Sequence, residues 1–264
     1  MKLFILGCSL FFSFNIFSAE SAPCGVYGAC DEFSPQLNNL ESLQLGAATF
    51  INNCYGCHSL KYSRWNRIAK DLEIPEEIFA SNLVYDQTVK LGDTMTGSMI
   101  KASSESWFGI SPPDLTLVTR LHGSDWVYTY LKTFYEDSSK PYGVNNMVYP
   151  GAAMPNVLAS MQGQQILSCK EVPLIASNGG VKRDLSGKDI TEEKCGYLTT
   201  IPNSGSLSEA EFDEVIYNLV NFMTYVGEPS RADRERIGWY VILFFIVFTS
   251  FAYLLFKEYQ KDYH

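Results

Sequence analysis

The sequence predicts a mainly α domain with long loops, carried on one C-terminal transmembrane helix. Three observations lead there. Apolar residues recur at helical spacing in several stretches of the body, strand signals are weak throughout, and residues 237–256 run for twenty positions without a charge. At 264 residues the chain is long enough to bury a proper core. Hydrophobic residues at 46% and charged residues at 19% sit near globular averages, which excludes global disorder and collagen-like repeats. The formal net charge of −9 argues against a nucleic-acid binder, which needs Lys and Arg to displace counterions from phosphates.

Taken in order, residues 1–22 read as a secretory signal peptide: Lys2, a short apolar centre at Leu3–Phe17, then the small residues Ser18 to Ala22. The cut falls between Ser18 and Ala22. Residues 23–230 form the exported body, and most of the acids lie there. Leu40, Leu43, Ala47, Phe50 and Ile51 share one helical face. Trp126–Tyr135 reads as an aromatic helix after a Gly-Ser-Asp start. Ser208 and Glu211 make a capping box, which opens a helix with Phe212, Val215, Ile216, Leu219, Val220, Met223 and Val226 on one face, ended by Gly227 and Pro229. Prolines punctuate the remainder as loops.

Ile237–Phe256 is long enough, at about 1.5 Å per residue, to cross roughly 30 Å of hydrocarbon. Trp239, Tyr240, Tyr253 and Tyr259 lie near its ends, where amphipathic rings favour the headgroups. A count of bases alone would put the flank with Arg231, Arg234 and Arg236 in the cytoplasm. The leader says the opposite. Glu228, Asp233 and Glu235 interrupt that basic block, so the body is expected outside the cytoplasm, with residues 257–264 as a short inner tail.

The chemistry starts at Cys54-Tyr55-Gly56-Cys57-His58. C-x-x-C-H is the attachment motif of c-type haem: two thiols add to the two vinyl groups, and the adjacent His falls beneath the iron. A zinc site would want a second paired-ligand cluster, and a thioredoxin-like dithiol would want a βαβ context; neither is present. Export agrees, since such haem is attached outside the cytoplasm. For the sixth ligand, Met154 in Gly-Ala-Ala-Met-Pro is best placed, because small residues permit close approach and Pro155 stiffens the loop. Met95 and Met99 are rivals, as is the lone loop residue His122; His264 lies beyond the membrane helix. Sulfur opposite imidazole fills both axial positions and favours an electron carrier. Four cysteines then remain in the mature chain, with three possible pairings or none. Cys24–Cys30 and Cys169–Cys195 is the simplest set in an oxidising compartment. The second closure is worth about 3.5 kcal/mol on a chain-entropy view.

Several blocks resemble one family closely. C-H-S-L-K-Y-S-R-W at 57–65, L-G-D-T-M-T at 91–96, W-F-G-I-S-P-P-D-L-T at 107–116, D-W-V-Y-T-Y-L at 125–131 and N-N-M-V-Y-P-G-A-A-M-P-N-V-L at 145–158 are similar to cytochrome c1 of the cytochrome bc1 complex (ubiquinol–cytochrome c oxidoreductase), bacterial type. The resemblance runs from about Leu43 to the C-terminus.

That resemblance implies one covalent haem c on Cys54 and Cys57, with His58 and Met154 on the iron. It implies that Arg120 pairs with a haem propionate by a forked contact. Pro112 or Pro113 would line the haem edge and offer a carbonyl to orient His58. Trp65 and Trp107 are expected as pocket walls or core. The implied partners are cytochrome b, the Rieske iron–sulfur protein as electron donor and a soluble or membrane-bound cytochrome c as acceptor, within a dimeric complex in the bacterial inner membrane, haem domain on the periplasmic side. Acidic clusters at Asp71–Glu77 and Glu209–Glu214 would steer a basic partner or simply be solvated. Two other readings stay open: a tethered cytochrome c of another respiratory chain, and a haem catalyst or sensor with an exchangeable sixth ligand.

Overall fold

The computed structural model describes residues 23–86, 88–97, 99–175, 179–184 and 186–261. The leader at 1–22, with Cys8, and His264 lie outside them. After a 3-10 turn at Gly25–Tyr27, the order is α1 (Leu40–Asn53), β1 (Leu60–Arg64), α2 (Trp65–Asp71), α3 (Glu76–Leu83), β2 (Thr94–Met95), α4 (Lys101–Phe108), α5 (Val118–His122) and α6 (Ser124–Lys132). There follow β3 (Phe134–Glu136), β4 (Val144–Asn146), α7 (Ala159–Gln162), β5 (Gln165–Pro173), β6 (Thr191–Thr200), α8 (Glu209–Gly227) and α9 (Arg231–Lys261).

Two helices organise the core. α1 starts where the Asn39 side chain accepts from the Ser42 amide, and it buries Leu43, Ala47, Phe50 and Ile51. α8 starts with both reciprocal bonds of the Ser208–Glu211 capping box and buries Phe212, Ile216, Leu219, Val220, Phe222, Met223 and Val226. These faces meet, and Phe50 and Phe222 lie 5.9 Å apart. The helices come close because position 46 has no side chain. A Cβ there would sit 2.0 Å from the Asn218 carbonyl oxygen and 2.7 Å from Phe222 Cβ. Beside this contact the buried Asn221 amide donates to Gln36 O and Ser42 Oγ, both at 3.0 Å, and accepts from the Gln36 amide at 2.9 Å. Trp65, Ile68, Leu72 and Phe79 extend the core from α2 and α3. α5 and α6 pack on the other side of α8.

The strands form three two-stranded antiparallel pairs, β1–β2, β3–β4 and β5–β6. The last corrects the expectation that strand is scarce and that the chain outside the helices is loop. β5 and β6 run nine and ten residues, and Cys169 stands directly opposite Cys195 and is bonded to it. Both faces of this hairpin are mostly exposed, so it carries no apolar alternation from which a strand could be read. The aromatic run at 126–135 is likewise split, since α6 ends at Lys132 and β3 begins at Phe134.

Among the described residues one helix is long and apolar enough to cross a membrane, α9, and none of its residues is buried. Its base carries three ion pairs, Arg231–Glu235 (2.8 Å), Arg234–Glu228 (2.9 Å) and Arg236–Asp233 (2.8 Å). Every arginine of that flank is therefore matched by an acid.

Gly46→Ala should lower the stability of the detergent-solubilised chain by about 2–3 kcal/mol, through overpacking. A chemical denaturation midpoint equal to that of the parent would contradict the α1–α8 contact.

Candidate haem-attachment site

The attachment turn grows from the end of α1. The Cys54 amide still donates to Phe50 O at 2.8 Å, and the Cys57 and His58 amides both return to Cys54 O, at 3.1 and 2.9 Å. Five residues are thus wound into a tight turn on a buried helix. Cys54 is buried and Cys57 half-buried; among the described cysteines these two stand outside disulfides. Burial, then the neighbouring Cys57, pushes the Cys54 thiol up to about 12, and burial raises Cys57 as well. A dithiol redox centre needs the reverse, a thiol pushed down to thiolate.

Two segments hold the turn. Residues 113–116 lie alongside 58–62: His58 Nδ1 donates to Pro113 O at 2.8 Å, the Leu115 amide to Ser59 O at 2.9 Å, and the Lys61 amide to Asp114 Oδ2 at 2.8 Å. A carbonyl only accepts, so Nδ1 carries the proton and Nε2 keeps its lone pair for a metal. Of the two prolines, the carbonyl that orients His58 is Pro113's. Burial lowers the His58 pKa, against the opposing pull of the Pro113 carbonyl and Asp114. The second segment is 94–97. Tyr55 Oη donates to Thr96 O at 2.7 Å, and the Gly97 amide donates to Ser59 Oγ at 2.8 Å. A Cβ on Gly97 would stand 2.9 Å from His58 O, so only glycine passes there. Met95, opposite Leu60 in β1–β2, is fully buried in the core.

Met154 is held by different elements. It packs half-buried against the core, and Tyr130 Oη donates to its Sδ at 3.6 Å. The loop that carries it hangs on two asparagines at the end of β4, which sequence reasoning did not single out. Asn146, fully buried, accepts from the Val148 and Tyr149 amides at 2.9 and 3.1 Å and donates to Tyr130 O at 2.8 Å. Asn145 accepts from the Gly151 amide at 2.8 Å and donates to Asp137 at 2.9 Å. Two adjacent Asn before a Gly-Pro-rich stretch was the available signal. The Cys24–Cys30 disulfide closes a small loop whose Val26 amide donates to Met147 O at 2.9 Å, so it braces the same segment. The Cys169–Cys195 pair lies in the exposed hairpin instead.

The remaining expected residues fall as follows. Arg120, on α5, is exposed, and among the described residues it has no ion pair with a carboxylate. His122 stacks on Trp126 with centroids 4.3 Å apart. Trp65 is core, edge-on to Tyr55 at 5.0 Å, whereas Trp107 is exposed. In the acidic clusters Asp71 is taken by Arg67 and Tyr225 and Asp213 by Lys132, which leaves Glu73, Glu76, Glu77, Glu209 and Glu214 exposed.

No family model matches the chain. Over 228 residues it is 46% identical to the cytochrome c1 of Allochromatium vinosum, covering 86% of this chain and 87% of that protein. The chain belongs to the cytochrome c1 family. It is also 37% identical over 224 residues to a protein of Nitrosomonas europaea named ammonia monooxygenase gamma subunit, covering 85% and 84%. A third relative, named cytochrome b/c1, from Bradyrhizobium diazoefficiens, is 22% identical over 255 residues, which cover 84% of this chain and 33% of that protein.

Membership makes this an electron-transfer chain with covalently bound haem c. The side chains present fit that group: two free thiols at the motif spacing, an imidazole with one nitrogen committed and the other available, a thioether, and a guanidinium that has no ion pair among the described residues.

Asn146→Ala would leave the buried Val148 amide without its acceptor and release the part-buried Tyr149 amide, at about 1–3 kcal/mol. The variant should melt at a lower temperature than the parent. Unchanged melting would contradict the role given to Asn146.

Proposed function

We propose that this chain is the haem c subunit of a bacterial cytochrome bc1 complex. In this reading it accepts one electron from the Rieske iron–sulfur protein and passes it to a cytochrome c, soluble or membrane-bound. The observation that carries the reading is the His58 Nδ1 bond to Pro113 O, because it leaves Nε2 free beside two uncommitted thiols. When bound, the haem supplies a single iron that gains and loses one electron. The chain makes and breaks no substrate bond.

Each residue then has a task that its surroundings support. Cys54 and Cys57 hold the group covalently. His58 ligates through Nε2, and the Pro113 carbonyl keeps the ring from turning. Met154 would supply a thioether to the group from a loop fastened by Asn145 and Asn146. Arg120 binds a propionate, its charge unmatched by any described carboxylate. Exposed Glu73, Glu76, Glu77, Glu209 and Glu214 favour a basic partner at low salt.

Residues 1–22 act as a removed leader, 23–230 as the periplasmic domain, 237–256 as the span of the inner membrane and 257–264 as the inner tail. The span would pack against cytochrome b, in a dimeric assembly.

Purification of the full chain in mild detergent should bring down a b-type cytochrome and an iron–sulfur protein. Recovery with the other subunits of a monooxygenase instead would contradict the proposal. Met154→Leu should lower the reduction potential and admit carbon monoxide; a variant with the parent's potential that still refuses carbon monoxide would remove Met154 from the iron.

A further inference from the structure

The sulfur assigned to the iron has a partner of its own. Tyr130 Oη lies 3.6 Å from Met154 Sδ, and the phenol can only be the donor in that pair. Its ring is held by two aromatic neighbours. It lies parallel to Trp126, centroids 5.2 Å apart with 5° between planes, and it meets Phe134 edge-on at 5.2 Å. Trp126 is itself covered by His122 at 4.3 Å. The Tyr130 carbonyl accepts from Asn146 at 2.8 Å, and Asn146 also holds the loop that bears Met154. One buried amide therefore fixes the donor and the acceptor relative to each other.

We propose that Tyr130 is a positioning residue that donates a hydrogen bond to Met154 Sδ, aims the thioether at the iron and raises the reduction potential. The inference rests on Met154 being the sulfur ligand. A thioether has two lone pairs, and a donor on one leaves the other directed at a metal. A hydrogen bond also draws electron density from the sulfur, so that it stabilises ferric iron less than a free thioether does. The ferrous form gains by comparison. The ring stack holds the hydroxyl beside the sulfur in the chain alone, so the geometry is set before ligation.

Tyr130→Phe keeps the ring and its stacking and removes only the donor. In the full-length holoprotein, redox titration should show the equilibrium moved about threefold toward the ferric form. At about 59 mV per tenfold for one electron, that is a fall of about 30 mV. The long-wavelength sulfur-to-iron band should persist and shift. An unchanged potential with an unchanged band, or a raised potential, would overturn the proposal. If the Phe variant does not mature, 3-fluorotyrosine at position 130, a stronger donor of the same shape, should raise the potential; no change or a fall would overturn the proposal. Met154→Leu separates the two levels. Loss of the band there supports the ligand assignment, whereas a retained band shows that the assignment itself is wrong and the inference with it.

Discussion

A carbonyl oxygen with no choice of role sets up the site. Pro113 O can only accept, His58 Nδ1 must therefore donate, and the opposite nitrogen is left as the ring's lone-pair donor. The orientation costs the protein little, because the 113–116 segment is laced to the chain just after the motif by backbone and Asp114 bonds. The motif is in turn wound onto the end of α1, whose face is locked to α8 through Gly46. A displacement anywhere along that path would turn the imidazole.

The methionine proposed as the second ligand is supported by other means. The methionine loop has no regular hydrogen-bond ladder, so its amides are satisfied by two asparagine side chains that reach back from β4. The N-terminal disulfide loop rests on the same segment. A rigid helical anchor on one side and a polar clamp on the other suits a carrier, since electron transfer at one iron is fastest when ligands do not move between oxidation states.

What was legible in the sequence followed from periodicity and from rigid motifs. The buried faces of α1 and α8, the Ser208–Glu211 box and the apolar stretch inside α9 could be read because their spacing or length admits one physical solution. The C-x-x-C-H turn is equally constrained by its own chemistry. Which of two adjacent prolines faces His58 was not legible, because a carbonyl's direction depends on the path of a loop. The β5–β6 hairpin escaped notice because solvent wets both its faces. Asn145 and Asn146 escaped it because polar residues that bond across a loop repeat at no period, and Tyr130 because its hydroxyl matters only through a residue twenty-four positions away.

The central claim is that Cys54 and Cys57 hold a haem by thioether bonds beside an imidazole already aimed at its iron. Mass spectrometry of a proteolytic peptide spanning residues 54–58 tests it most directly. The account predicts a peptide heavier by one haem, with both cysteines resistant to alkylation after reduction. A peptide of unmodified mass with both thiols alkylated would contradict it.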